Sequence, residues 1–389
     1  MESITYFDYA ATTPVDDRVI AAMRPYFAES FGNPSSVHRH GQRAEAAVES
    51  ARESVARILR CSPSEILFTS CGTESDNLAL RGAVWASPSL AGDRWILTSR
   101  TEHHAVSKTA RQLERLHACE VHWLQPDMHG VTSPENLRNA LGPGCTVASL
   151  MYANNEIGTI NPIDRLAAEC RAAGVLFHTD AVQAAAYLSL DVNVLGIDLM
   201  SLGGHKFYGP KGVGALYVRK GTPLMPSQTG GQQESGARAG THNVPLIVGF
   251  ARALELAQEE RQERTAHVIP LRDHILTSIS QNIPDCRLTG DPSARLPNHA
   301  SFAFMGVDGN LLLGLLDAAG FACSSGSACK TGSPEPSDVL MAIGLSPDWA
   351  LGSLRVTLGK DTDPGSVEAF VNVLPGLVEK ARALSRAAQ

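Results

Sequence analysis

Residues 197–218 read IDLMSLGGHKFYGPKGVGALYV. An apolar run stops at two glycines, a histidine and a lysine follow, and a Gly/Pro turn leads into a second apolar run. Runs this short, bounded by turn residues, predict buried strands, so Lys206 falls just beyond the carboxyl end of one of them. Most lysines lie in solvent, and the ordinary reading of Lys206 is a loop charge. The carboxyl ends of parallel strands, however, are where α/β proteins gather their ligand groups. A lysine desolvated there can form a Schiff base with a carbonyl compound.

The same strand pattern recurs on both sides. EILFTS (65–70), RWILTS (94–99), TVASLMYA (146–153) and VLFHTD (175–180) read as further buried strands. Between them lie amphipathic segments such as HAVSKTARQLERLH (104–117) and PIDRLAAECRAAG (162–174). This alternation predicts an α/β fold, a mostly parallel central sheet with helices on both faces. Residues 244–281 carry long helical patterns with little strand signal. Beyond about 285, strands such as ASFAFM (300–305) and SLRVTLG (353–359) mix with helices and predict a smaller α+β domain.

Composition removes several classes of function. The 389 residues are 43% hydrophobic and 19% charged, as in an ordinary globular enzyme with room for two cores. A net charge of −7 argues against a nucleic-acid surface, which would be basic. No window approaches the apolar length of a membrane span, and the N-terminal MESITYFDYA lacks the positive start of a signal peptide. A cytoplasmic location is the expectation.

Two other segments suit a cofactor. Asp180 ends the strand in VLFHTDAVQ, where it is either a plain helix cap or an acidic partner for a ring nitrogen. In FTSCGTESDNLAL a strand gives way at Gly72 and Thr73 to a helix beginning near Glu74. Free backbone N–H groups at such a start bind phosphate, although a Thr cap with Asp76 three residues on explains the same residues. A lysine for an aldehyde, an acid for a pyridinium and a phosphate cradle are together what pyridoxal 5'-phosphate requires.

The eight cysteines contain no CxxC pair, so a zinc ribbon is not expected. Cys323 and Cys329 lie in ACSSGSACKTGSPEPSDV, residues 322–339. A disulfide there is unusual in a reducing compartment, which leaves a thiol that moves and reacts as the stronger reading. Cys323, at the end of GFAC, reads instead as a buried structural thiol.

The stretches FDYAATTPVD, FGNPSS, TSCGTESDN, TEHHAV, NNEIG, HTDAVQ, GHKFYGPKGVGALYV, GARAGTHN and SSGSAC, in that order, resemble the cysteine desulfurases of the class V aminotransferase family. The NifS/IscS branch is the most similar. The resemblance covers nearly the whole chain and implies a pyridoxal-phosphate-dependent transferase of fold type I. It implies three parts: an N-terminal segment (1–15) joining the small domain, a large cofactor-binding domain (16–260), and a small C-terminal domain (261–389) carrying the cysteine loop.

It also implies roles. Lys206 would hold the cofactor aldehyde, Asp180 the ring nitrogen, and His103 would stack on the ring and shuttle protons. Asn155 and Gln183 would meet the ring oxygen; Gly72, Thr73 and His205 would meet the phosphate, Ser201 and Gly203 would belong to the cofactor site, and Thr241 would reach across from the partner of a homodimer. Arg355 would clamp the substrate carboxylate, helped by Asn33 and Asn155. Cys329 would take sulfur from L-cysteine as a persulfide, leaving L-alanine, and pass it to an acceptor protein such as an iron–sulfur scaffold. No resident metal is implied; Cys329 could at most ligate iron in passing. Gly203 departs from the Ser or Cys common before GHK, and Ser235 from a common arginine. An aminotransferase or selenocysteine lyase of the same fold would keep Lys206, Asp180 and Arg355 but leave Cys329 without a purpose. A non-catalytic carrier would have no use for the lysine–aspartate pair.

Overall fold

The computed structural model describes residues 4–87, 94–326 and 335–387. Twelve strands are present among them, numbered in chain order: β1 (Thr5–Tyr6), β2 (Ile66–Thr69), β3 (Trp95–Ser99), β4 (Glu120–Leu124), β5 (Cys145–Ser149), β6 (Leu176–Asp180), β7 (Leu199–Gly203), β8 (Gly214–Val218), β9 (Cys286–Leu288), β10 (His299–Phe304), β11 (Phe321–Ala322) and β12 (Ser353–Thr357). Seven form one sheet in the order β2-β8-β7-β6-β5-β3-β4. Its strands are parallel except β8, which runs antiparallel to both neighbours. The exception has a simple cause. Only ten residues separate β7 from β8, fewer than the dozen or more that a parallel crossover needs, so the chain turns straight back. Lys206 lies in that turn.

The inner strands are buried along almost their whole length, as a sheet covered on both faces demands. The helix His104–His117 shows why these sequences become cover. His103 caps it, Nδ1 accepting the Ala105 N–H at 3.1 Å, and Ala105, Val106, Thr109, Ala110 and Leu113 form the buried stripe. Ala118, at φ 46°, ends it. Where the expected helical run 244–281 lies, the structure has two helices, Val244–Glu259 and Arg261–Asn282.

β9, β10 and β12 form a second, antiparallel sheet, and β1 pairs with β11. The chain's first strand is thereby tied to its last quarter. Phe7 packs edge-on against Phe370 (ring centroids 5.4 Å), which also meets Phe321. No helix among the described residues is long and apolar enough to cross a membrane.

In the large core, Phe250 is fully buried and meets Phe68 and Phe207 edge to face, at 6.2 and 5.3 Å. Phe250→Ala should cost about 3–5 kcal/mol, read as a lowered urea midpoint at constant slope. An unchanged midpoint would mean that this aromatic cluster does not hold the core.

Candidate active site

The carboxyl ends of β2, β5, β6 and β7 share one edge of the sheet, and the candidate residues collect there. Lys206 is carried by the short turn Gly204–Lys206 that follows β7. Its Nζ donates to the carbonyls of Ala10 (2.6 Å) and Ala11 (2.7 Å). Burial pushes its pKa down to about 8; the Arg355 charge adds to this, and Asp8 and Asp180 pull the other way. The amine is therefore poised between charged and neutral near physiological pH.

Asp180 ends β6, buried, with Oδ1 accepting the Val182 N–H at 2.9 Å. This is a local turn and not a helix cap. Burial raises its pKa, while His103 and Lys206 pull it back. One ligand atom each from Asp180, Asp76 and His103 lie within 4.8 Å of one another. Asp76 and Glu102 are also buried, and both carboxyls are held well above the usual range by burial, with the Asp180 charge adding to it. Like charges packed this closely do not all ionise. Asp180, the member facing cations, is the one best placed to keep its charge.

Behind Asp180 the sheet holds a neutral histidine. Burial pushes His178 down to about 3; its Nδ1 pairs with Ser149 Oγ (2.8 Å) and its Nε2 with Ser201 Oγ (3.0 Å). This corrects the expectation for Ser201. Its hydroxyl is fully buried and supports His178 instead of facing a ligand.

At β2 the helix Gly72–Ala86 begins one residue past Cys71, earlier than the expected start near Glu74. Thr73 is thus inside the first turn and not the cap, and Glu74 instead accepts the Ser70 N–H at 2.6 Å. The helix start is bare. A Cβ added to Gly203 would lie 3.4 Å from Gly72 N, and one added to Gly72 would lie 2.6 Å from Val182 Cγ2. Two glycines leave room for a phosphate to approach the first N–H groups. His205 Nδ1 pairs with Thr12 Oγ1 at 3.2 Å, and burial with the charges of Lys206 and Lys211 lowers it to about 4. Gln183 donates to Ala10 O at 2.8 Å.

Arg355, on β12, faces the same edge from the second sheet. Nη2 pairs with Asp8 (2.8 Å) and Nη1 donates to Asn155 O (2.9 Å), while its buried Nε has no hydrogen-bond partner among the described residues. A buried, unfilled guanidinium position invites an anion.

Thr73 and His103 share a cavity of about 660 Å³. Asn33 and Thr241 together line a cavity of about 390 Å³. A larger cavity of about 890 Å³ around Arg52 and Glu234 touches none of the expected residues, so volume alone does not locate the site. Cys323 follows β11, its thiol pushed up by burial as a structural thiol's would be. Cys329 lies outside the described residues. Asp8, Glu102, Glu156 and His178 carry no role that the sequence alone suggests, although each sits inside a motif that carries the resemblance, and Asp76 is expected only as part of a helix cap.

A low-pKa lysine, a buried acid on the neighbouring strand and a bare helix start, on one edge of a mostly parallel sheet, define a pyridoxal-phosphate enzyme of fold type I. The chain belongs to the class V aminotransferase family, whose model matches residues 5–370, and within it to the cysteine desulfurases. The cysteine desulfurase IscS of Dictyoglomus turgidum is 44% identical over 385 residues, covering 99% of this chain and 97% of that one. A solved NifS-like protein matches with a TM-score of 0.90 at 36% identity, covering 97% of this chain and 100% of its own. The structure of SspA in complex with cysteine matches with a TM-score of 0.78 at 35% identity, over 92% of this chain and 99% of its own.

In protein freed of its cofactor, acylation of Lys206 followed by peptide mass spectrometry should rise with pH around a midpoint near 8. A midpoint at the ordinary lysine value of 10.5 would mean that the amine is not desolvated.

Proposed function

We propose that this chain removes sulfur from L-cysteine, releasing L-alanine, and that Cys329 receives the sulfur. The observation that carries the reading is Lys206, an amine held by the Ala10 and Ala11 carbonyls on the ligand edge of the sheet, its pKa lowered by burial to about 8. Pyridoxal phosphate bound there supplies the electron sink that labilises bonds around the substrate's α-carbon.

The chain's own groups do the rest. Arg355, whose guanidinium has one N–H without a partner among the described residues, would take the substrate carboxylate in a charge-assisted contact, which is strong. Asp180 would keep a ring nitrogen protonated, and Gly72, Thr73 and His205 would take the phosphate on backbone and imidazole donors. Asn155 and Gln183 would hold the ring oxygen, and His103 would cover the ring. Lys206, with its pKa near 8, can accept the α-proton and return it elsewhere on the carbon skeleton. The Cys329 thiolate attacks the substrate sulfur. An S–S bond forms, the carbon–sulfur bond breaks, and its electron pair and a proton stay on the carbon that leaves as alanine. The protein keeps a persulfide for an acceptor, an iron–sulfur scaffold or another thiol carrier. Nothing in this balance requires an outside oxidant.

Thr241, which lines a cavity with Asn33, would serve the partner's site in a homodimer. The seven cysteines among the described residues are all free, which suits a reducing cytoplasm.

With L-cysteine and a reductant, the wild type should form alanine and sulfide in equal amounts. Cys329→Ala should lose both while keeping its yellow cofactor band; turnover at the wild-type rate would remove Cys329 from the reaction. Arg355→Ala should raise KM for cysteine roughly 10- to 100-fold, since hydrogen bonds to charged groups are worth about 1.5–3 kcal/mol. An unchanged KM would place the substrate carboxylate elsewhere.

A further inference from the structure

The turn after β5 does more than present Asn155. Asn154 Oδ1 accepts the N–H groups of Glu156 (2.8 Å) and Ile157 (3.0 Å), which fixes the turn's shape. Asn155 O then receives Arg355 Nη1, and the next side chain, Glu156, points at the place where the chain departs into residues 327–334 and returns from them. Ser337 Oγ donates to Glu156 Oε2 at 2.5 Å. On the upstream side, Gly326 comes so close that a Cβ there would stand 2.7 Å from the same Oε2. Gly326 is not in the left-handed region, so the close approach, not the backbone conformation, is what disfavours a side chain.

A third tie completes the set. Ser324 and Arg355 exchange backbone hydrogen bonds, at 2.7 and 3.3 Å. The guanidinium proposed to hold the substrate and both roots of the cysteine-bearing segment thus converge on Asn155 and Glu156. Ser337 is itself buried and also accepts the Leu340 N–H at 3.2 Å, capping the helix Asp338–Ala342. The downstream root is a fixed point.

We propose that Glu156 is a positioning residue for sulfur transfer: its carboxyl fastens the downstream root of the Cys329 segment, at Ser337, to the turn that holds Arg355, and the upstream root packs against the same carboxyl at Gly326. This rests on the reading that Cys329 receives the sulfur. Chain length sets the consequence. Cys329 is three residues from Gly326, so its Cα stays within about 11 Å of that root. Fixing the root therefore fixes the space the thiol can search, and with it the thiol's effective concentration at the substrate. The chemistry of the site agrees. Burial raises the Glu156 carboxyl to about 7, with Ser337 and Arg355 lowering it and Asp338 raising it.

The test uses the holoenzyme and three variants: Glu156→Ala, Glu156→Gln and Gly326→Ala. Three quantities are read: the cofactor band with its change on adding L-cysteine, kcat and KM for alanine formation, and the rate of Cys329 alkylation by iodoacetamide. Glu156→Ala should keep the band and hold KM within about twofold, lower kcat 10- to 100-fold, as a misplaced reacting group does, and alkylate faster. Glu156→Gln keeps an acceptor for Ser337 and should restore most of kcat. Gly326→Ala should slow transfer alone and cost less in the Glu156→Ala background, because the two changes strain one contact.

Wild-type kcat and alkylation in Glu156→Ala would overturn the proposal, as would loss of the cofactor band in step with kcat. The reading beneath it fails separately: Cys329→Ala turning over cysteine at the wild-type rate would refute sulfur acceptance by Cys329, whatever the Glu156 variants do.

Discussion

A lysine amine at the sheet edge, taken by two backbone carbonyls and lowered in pKa by burial, is the constraint on which the rest of this structure turns. An ammonium in that position is costly, and the protein lowers the cost by letting it shed its proton near neutral pH. The surroundings follow from this choice. Asp180 faces His103 and Lys206, while burial raises the carboxyls of its neighbours Asp76 and Glu102 well above the usual range. His178 is walled off and uncharged, held by two serine hydroxyls. The site thus concentrates many titratable groups while few of them carry charge.

The sheet supplies the geometry that makes this possible. Parallel strands end together, so Asp180 and the Lys206 turn are neighbours without any long-range fitting. The antiparallel β8 matters as much, because a tight return after β7 presses Lys206 against the sheet edge instead of releasing it into a crossover loop. Arg355 comes from a different sheet and is oriented by Asp8 from the N-terminal segment. Each element contributes one group, and none would form the site alone.

Much of this was legible in the sequence because it depends on local chemistry. Short apolar runs ending in Gly, Asp or Lys marked the strand ends, and the 104–117 helix could be bounded to the residue. The direction of β8 was implicit in the length of its connection, but periodicity says nothing about strand direction. What stayed hidden depended on contacts distant in sequence. Asp8 and Arg355 are 347 residues apart, and no pattern in either neighbourhood announces their pairing. Glu156 stood inside a recognised motif, yet its meaning requires knowing that Gly326 and Ser337 fold onto it. Ser201 shows the opposite error: a hydroxyl at the right strand end, turned inward towards a histidine. Thr241 was expected to reach across to the partner of a homodimer, a role that one chain's contacts do not display; within the chain it lines a cavity with Asn33.

The pairing of β1 with β11 has a consequence for how the molecule is made. Thr5 and Tyr6 lie beside Phe321 and Ala322, and Ala10 N–H bonds to Thr357 Oγ1. A ribosome working from the first residue onward must therefore add more than three hundred others before this opening segment finds its place. Until then β1 has no strand to pair with, and Asp8 has no guanidinium to meet. Ala10 and Ala11 can be brought to the Lys206 amine earlier, because Thr13 and Asp16 bond to His205 and Tyr208 in the turn after β7, and Gln183 bonds to Ala10. The surroundings of Lys206 are therefore completed in two stages, the carbonyls with the large sheet and the Asp8–Arg355 pair only when the last quarter of the chain emerges.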